Sequence, residues 1–245
     1  MSRLQLVLLA GGLATRLRPI TEQMPKSMVS VCDKPFLQHQ IEWAGTLGVR
    51  NIVLCLGHLG EQIVSYFGDG ADLGVELRYS WDGGQLLGTG GALKRAEALL
   101  DKDFLVLYGD SYLPVDYSEI MQSFRQSGKQ GLMVVYQNFD RYDKSNVAID
   151  SGLVRRYDKS DHNRDLTYID AGLSALRRES LHLLPENASV SLGELFKALI
   201  DQDQLIAWET QQRFYEIGSP DGLDEFRRWL EDRERSVSPR ALQIK

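Results

Sequence analysis

The 245-residue sequence is poor in the residues that staple small folds, with only two cysteines, Cys32 and Cys55. Two thiols make no disulfide framework. Both lie in apolar surroundings, so buried free thiols are expected. The four histidines, His39, His58, His162 and His182, show no metal-ligand spacing and no pairing with a nucleophile, and none is assigned a role. Long apolar runs are missing too, and no stretch approaches a membrane span. The first apolar run is too short, and too quickly followed by Gly11-Gly12, for a signal peptide. A cytoplasmic protein without a membrane partner is the default expectation. Positive charge is in deficit, with 28 Lys and Arg against 34 Asp and Glu and a net charge of −6. That balance speaks against a nucleic-acid groove, which needs a basic face. A small anion needs only a few local cations and is not excluded. Internal repeats, low-complexity tracts and Pro/Gly/Ser linkers are absent as well, so one domain over 1–235 with a tail over 236–245 is expected. The length and a 43% hydrophobic content allow a large core.

What is present alternates between two periods. Leu4 to Leu9, Asn51 to Leu56, Gly74 to Tyr79 and Phe104 to Tyr108 read as strands. Between them, Phe36 to Leu47, Leu59 to Phe67 and Gly88 to Leu100 read as helices, with Gly48 and Gly68 as stops. Strands separated by helices imply parallel βαβ units. The second half is less regular. Strands are expected at 131–136, 147–149, 154–157, 168–176, 205–208 and 214–217, and helices at 116–126 and 191–200. Ser219 as a cap and Pro220 at a first turn open a last helix to about Arg235. The fold class expected is α/β: a Rossmann-like, mixed and mostly parallel sheet flanked by helices, with a smaller antiparallel region in the second half.

The chemistry centres on Leu6-Val7-Leu8-Leu9-Ala10-Gly11-Gly12-Leu13-Ala14-Thr15-Arg16-Leu17-Arg18-Pro19. A buried strand delivers the chain to a loop with almost no side chains. Paired glycines let a ligand approach the backbone closely, and free N–H groups in such a loop bind anions. With Arg16, Arg18 and Lys26 just beyond, a polyphosphate is the simplest ligand. Neither a Gly-Lys-Ser/Thr loop nor a Gly-x-Gly-x-x-Gly fingerprint is present, which removes the two commonest phosphate loops. In a parallel sheet the loop after the first strand and Asp110 after the fourth share the ligand-binding edge. A carboxylate there suits Mg²⁺, which takes oxygen ligands from one or two carboxylates plus phosphates.

Leu9-Ala10-Gly11-Gly12, Thr15-Arg16-Leu17 and Pro25-Lys26 together resemble the signature of sugar-1-phosphate nucleotidyltransferases, with Ala14 where that family has glycine. The resemblance runs from about Leu6 to Leu223. It implies NTP and sugar 1-phosphate as substrates, Mg²⁺ as cofactor, a nucleotide-binding first half and a sugar-phosphate-binding second half. An oligomer is possible, and a C-terminal β-helix or acyltransferase domain is not expected. By the same resemblance Arg16 holds the leaving pyrophosphate, Lys26 the α-phosphate, and Asp110 and Glu216 the metal. Leu9, Ala10, Gly11, Gly12 and Thr15 join these around the nucleotide. Asp158 and Lys159 stand where the family has Glu-Lys, the acid for sugar hydroxyls and the lysine for the sugar phosphate. Asn146 and Asp170 fall at sugar-contacting positions, Asp170 in place of asparagine. Gly88 and Thr89 belong to the base-reading loop. Gly83 lacks the usual base-reading side chain, which leaves Asp82 or Gln85 for that task. The runs 109–112 and 214–220 look closest to heptose 1-phosphate guanylyltransferases. A hexose or N-acetyl-sugar phosphate with UTP or dTTP is the enzymatic alternative, and a non-catalytic nucleotide-sugar-binding regulator is the alternative of another class.

Overall fold

The computed structural model describes residues 4–12, 20–159 and 166–237. Its centre is a nine-stranded sheet. Four parallel strands form one side: β1 (Gln5–Leu9), β4 (Asn51–Leu56), β5 (Glu76–Trp81) and β6 (Asp103–Tyr108), in the order β5-β4-β1-β6. The sheet then continues through β11 (Tyr168–Arg177), antiparallel to β6, and on to β8 (Gly131–Gln137), β12 (Leu205–Thr210), β10 (Leu153–Tyr157) and β9 (Val147–Asp150). A mixed, helix-flanked α/β sheet is therefore what the alternating pattern produces.

The pleat explains the layers. Side chains of successive strand residues point to opposite faces. Leu6 and Leu8 of β1 join a core with Leu37 and Ile41 of α1 (Phe36–Thr46), Ile63 of α2 (Gly60–Phe67) and Phe124 of α4 (Tyr117–Ser127). Val7 and Leu9 point the other way, to Leu93 of α3 (Gly88–Arg95) and Phe196 and Leu199 of α5 (Leu192–Asp201). Strands covered on both faces need apolar residues throughout, and β1 and β4 are buried along their whole length.

Smaller elements complete the fold. Residues 30–35 form a hairpin of β2 (Ser30–Val31) and β3 (Lys34–Pro35), turning through Cys32 and Asp33 at positive φ. Cys32 is thus only half-buried, whereas Cys55 is buried as expected; both thiols are free. The pair β7 (Ser111–Tyr112) and β13 (Tyr215–Glu216) is antiparallel. It packs with the last helix, α6 (Pro220–Val237), around Phe36 and Phe226, whose rings meet edge to face at 5.0 Å. Full burial of such a ring stabilises by ~1.5–3 kcal/mol. Ser219 caps α6 as its sequence suggests, accepting from Gly222 N–H at 3.2 Å. Asp116 does the same for α4, accepting from Ser118 N–H. The helix expected over 88–100 ends instead at Arg95 and tightens into a 3₁₀ turn at 97–99, where Lys94 reaches Glu97 at 2.9 Å. The strand expected at 74–79 lies at 76–81, after a turn through Gly74 at positive φ. Among the described residues no helix is long and apolar enough to cross a membrane.

Candidate active site

All four parallel strands deliver their carboxyl ends to one edge of the sheet, where ligands bind in folds of this kind. Gly11 follows β1, Gly57 follows β4, Asp82 follows β5 and Gly109-Asp110 follows β6. A Cβ on Gly57 would stand 2.7 Å from the Gly11 carbonyl and 2.8 Å from Leu86, so the glycine loop and the 82–88 loop are in direct contact. Gly109 donates its N–H to the Leu9 carbonyl at 3.0 Å. A Cβ there would sit 2.5 Å from that same oxygen, so glycine is required for Asp110 to leave β6 beside β1.

Four of the sequence-derived candidates converge here. Lys26 Nζ is 2.6 Å from Asp110 Oδ2. Ile217 N–H donates to the Asp110 carbonyl, and Glu216 is in register with Ser111, so both carboxylates flank the β7–β13 pair. Burial, and then the charge of Asp110, pushes the Glu216 carboxyl up to about 7. Lys159 carries the compensating charge. Burial works against its ammonium, but Tyr108, Asp170, Glu216 and Asp110 outweigh it and hold the pKa above the ordinary lysine range. Lys159 is exposed as a residue, and its ammonium lies over the Tyr108 ring, 4.7 Å from its centroid. Among the described residues no group of three or more His, Cys, Asp or Glu side chains forms a metal cluster.

The remaining candidates carry internal bonds. Asp170 is 4% exposed. Its Oδ1 accepts from Gly172 N–H across a bulge in β11, and its Oδ2 accepts from the Tyr157 hydroxyl at 3.2 Å. Burial pushes its carboxyl up. Asn146 Oδ1 accepts from Asp170 N–H, and Asp158 N–H donates to the Asn146 carbonyl, so these three are one unit. Asp82 is buried, and its carboxylate accepts from Leu87 N–H at 3.1 Å, while Gln85 is exposed. Of the two candidate base readers, only Gln85 is uncommitted in this way. The Thr89 hydroxyl accepts from Leu192 N–H, and Gly88, Gly90 and Gly91 pack against the backbone of 188–191. Thr15, Arg16, Ala14 and Arg18 lie outside the described residues. A cleft of about 740 Å³ beside Tyr142, Arg213, Asp221, Glu225 and Trp229 meets the site only at Glu216.

Gln40 is a site residue that sequence patterning does not reveal. It reads as a polar position on α1, yet it is 1% exposed and its amide donates to the carbonyls of Tyr108 and Ser111 at 3.0 and 2.6 Å. It staples the turn that carries Asp110. Tyr108 and Tyr157 are equally silent, because each is an aromatic residue that ends a strand and reads as core.

A strand-borne glycine loop, a carboxylate after the fourth parallel strand and a second carboxylate brought in by the late strand β13 define a nucleotide-handling α/β fold. The chain belongs to the nucleotidyl transferase family, whose sequence profile matches residues 5–155. It is 29% identical to a UTP–glucose-1-phosphate uridylyltransferase from Synechocystis, over 80% of this chain and 55% of that protein. It is also 29% identical to a D-glycero-alpha-D-manno-heptose 1-phosphate guanylyltransferase from Campylobacter jejuni, over 91% of this chain and 98% of that one. The chain thus spans just over half the length of the first of these relatives and nearly all of the second. Among solved structures, HddC from Yersinia pseudotuberculosis superposes with a TM-score of 0.79 at 26% identity, covering 93% of this chain and 99% of that one.

Proposed function

We propose that this chain transfers a nucleotidyl group from a nucleoside triphosphate to a sugar 1-phosphate and releases pyrophosphate. The carrying observation is the meeting of Lys26, Asp110, Glu216 and Lys159 at one sheet edge beside the Gly11-Gly12 loop. In this reading an oxygen of the sugar phosphate attacks the α-phosphorus in line, and the bond to pyrophosphate breaks. The nucleophile is already an anion at neutral pH, so no general base is needed. Positioning and charge neutralisation supply the rate. Lys26 passes from Asp110 to the α-phosphate, Arg16 holds the leaving pyrophosphate, and Lys159 steers the sugar phosphate. Leu9, Ala10, Gly11, Gly12 and Thr15 line the nucleotide, with Gly88 and Thr89 beside the base. Asn146, Asp158 and Asp170 form the sugar side, Asp170 acting through the groups it holds.

Asp110 and Glu216 fit Mg²⁺. They are oxygen donors whose charges repel each other, set next to a loop suited to phosphates, and Mg²⁺ binds through one or two carboxylates plus phosphates. Bound there, it would neutralise charge shared by the two substrates.

For substrates the reading is GTP and a heptose 1-phosphate, supported by the end-to-end match to the Campylobacter guanylyltransferase. A uridylyl or thymidylyl transfer to a hexose or N-acetyl-sugar phosphate is favoured by one observation, the exposed Gln85 amide beside the committed Asp82. A cytoplasmic location and a supply of nucleotide sugar for surface polysaccharide complete the proposal. Pyrophosphate release, measured for GTP, UTP and dTTP against hexose, N-acetylhexosamine and heptose 1-phosphates, tests it. GTP with the heptose should give the highest kcat/KM. A pyrimidine preference sinks the guanylyl reading, and no release from a folded protein with any pair sinks the enzymatic one.

A further inference from the structure

The two lysines at the site are held differently. Lys26 is bonded to the Asp110 carboxylate. Lys159 meets rings: its Nζ lies 4.7 Å from the Tyr108 centroid and 5.9 Å from that of Tyr157, and among the described residues it has no ion pair. An ammonium over an aromatic face is held by the ring quadrupole without its N–H bonds being used up. Among the described residues no ion pair takes any of the three, which leaves them for an arriving anion.

The rings are themselves fixed. Tyr108 and Tyr157 close neighbouring parts of the site, and both rings face the same ammonium. The Tyr157 hydroxyl reaches Asp170, which is locked by Gly172 N–H and by its own N–H to Asn146. Gln40 pins the Tyr108 carbonyl from below. Strands β6, β10 and β11 thus hold one ring pair, although Lys159 itself is an exposed residue two positions past the end of β10. Without a ring to rest on, a lysine stem of that kind is free to rotate, or to fall onto the nearby Glu216 or Asp110 carboxylates.

We propose that Tyr108 is a positioning residue whose ring face presents the Lys159 ammonium to a phosphate monoester. This rests on the reading that Lys159 receives the sugar phosphate. It adds that the aromatic residue before Gly109-Asp110 sets the affinity of that half-site and leaves the triphosphate half-site alone. The ring matters and the hydroxyl does not, since a phenylalanine offers the same face.

The test compares the full chain with Tyr108→Phe and Tyr108→Leu, each checked for folding by thermal melting. Binding of inorganic phosphate is measured by calorimetry, and KM for sugar 1-phosphate and for NTP by pyrophosphate release. Tyr108→Leu should weaken phosphate binding and raise the sugar-phosphate KM by about tenfold, within the range of a cation–π contact, with the NTP KM unmoved. Tyr108→Phe should keep both values. Should the leucine variant not fold, Tyr108→Met removes the ring at similar volume. Equal phosphate affinity in ring-bearing and ringless proteins, including no binding by any, overturns the inference. So does a loss shared by the phenylalanine variant, or an equal rise in both KM values. If the order of phosphate affinities holds while no substrate pair yields pyrophosphate, the transferase reading fails and the role of Tyr108 stands.

Discussion

Replacing a glycine by alanine should have opposite effects at two positions in this fold, and Gly109 is the informative one. Its Cβ would stand 2.5 Å from the Leu9 carbonyl oxygen, where ordinary contact begins at 3.4 Å, so the end of β6 must retreat from β1 by about 0.9 Å. Both neighbours are backbone and cannot rotate away. The move also stretches the Gly109 N–H bond to Leu9. Overpacking of this kind and one weakened hydrogen bond together cost on the order of 3 kcal/mol. For a chain of this size that is a fall in Tm of about 6–12 °C. Asp110, the next residue, moves with the strand end, and a displacement near 1 Å at a reacting centre can cost roughly a hundredfold in rate. A Cβ on Gly45, near the end of α1, would meet nothing closer than Arg50 Nη1 at 3.9 Å. Gly45→Ala should stabilise by about 0.5–1 kcal/mol through the lost backbone entropy of glycine, with turnover unchanged. Thermal melting and pyrophosphate release on the two variants measure both effects. If Gly109→Ala melts within about 2 °C of the natural chain and keeps its rate, the close approach of β6 to β1 does not position Asp110.

Four further outcomes follow from the same geometry. Asp110→Asn should leave Tm nearly unmoved, because its partly exposed pair with Lys26 is worth only ~0–1 kcal/mol. The Mg²⁺-dependent turnover should fall by at least ~10²-fold; unchanged turnover would remove Asp110 from the reaction. Gln40→Leu strips a buried donor from the carbonyls of Tyr108 and Ser111. It should cost about 1–3 kcal/mol in denaturant titration and lower kcat, whereas a purely local role would spare the rate. Burial pushes the Cys55 thiol up to about 12, so at pH 8 iodoacetamide should leave it unmodified in the native protein and label it only after unfolding, as read by mass spectrometry. Asp82→Ala should loosen the 82–88 loop by about 1 kcal/mol without changing the preference among GTP, UTP and dTTP, and a collapse of GTP selectivity would return base reading to Asp82.

The parallel half of the fold is legible because its physics is local. Leu6 to Leu9 and Asn51 to Leu56 are continuous apolar runs, as strands covered on both faces must be, and Gly109-Asp110 marks a strand end. The two-residue strands β2, β3 and β7 carry no usable period. β2 and β3 exist because a tight turn folds one onto the other, and β7 because a distant partner supplies the pairing, as Tyr215 does for Tyr112 across more than a hundred residues. The same division holds at the site. Asp110, Glu216 and Lys159 are visible as residue types in motifs that resemble a family. That Lys26 rests on Asp110, that Asp82 is spent on Leu87, and that Gln40 underlies the turn are facts of packing between separate elements, and no spacing encodes them.

The place of β11 in the sheet bears on how the chain is made. Synthesis delivers β1, β4, β5 and β6 first, and then β8, but β8 never pairs with β6. The strand between them, β11, begins only at Tyr168. Until it emerges from the ribosome, Phe104 to Leu107 form an open, wholly apolar edge, and β8 has no seat. Such an edge is a template for pairing with another chain. A nascent chain of about 160 residues would therefore hold most of the proposed nucleotide half yet be at its most aggregation-prone. The stretch 168–177 then joins β6 to β8 and, in the same step, brings Asp170 to the site.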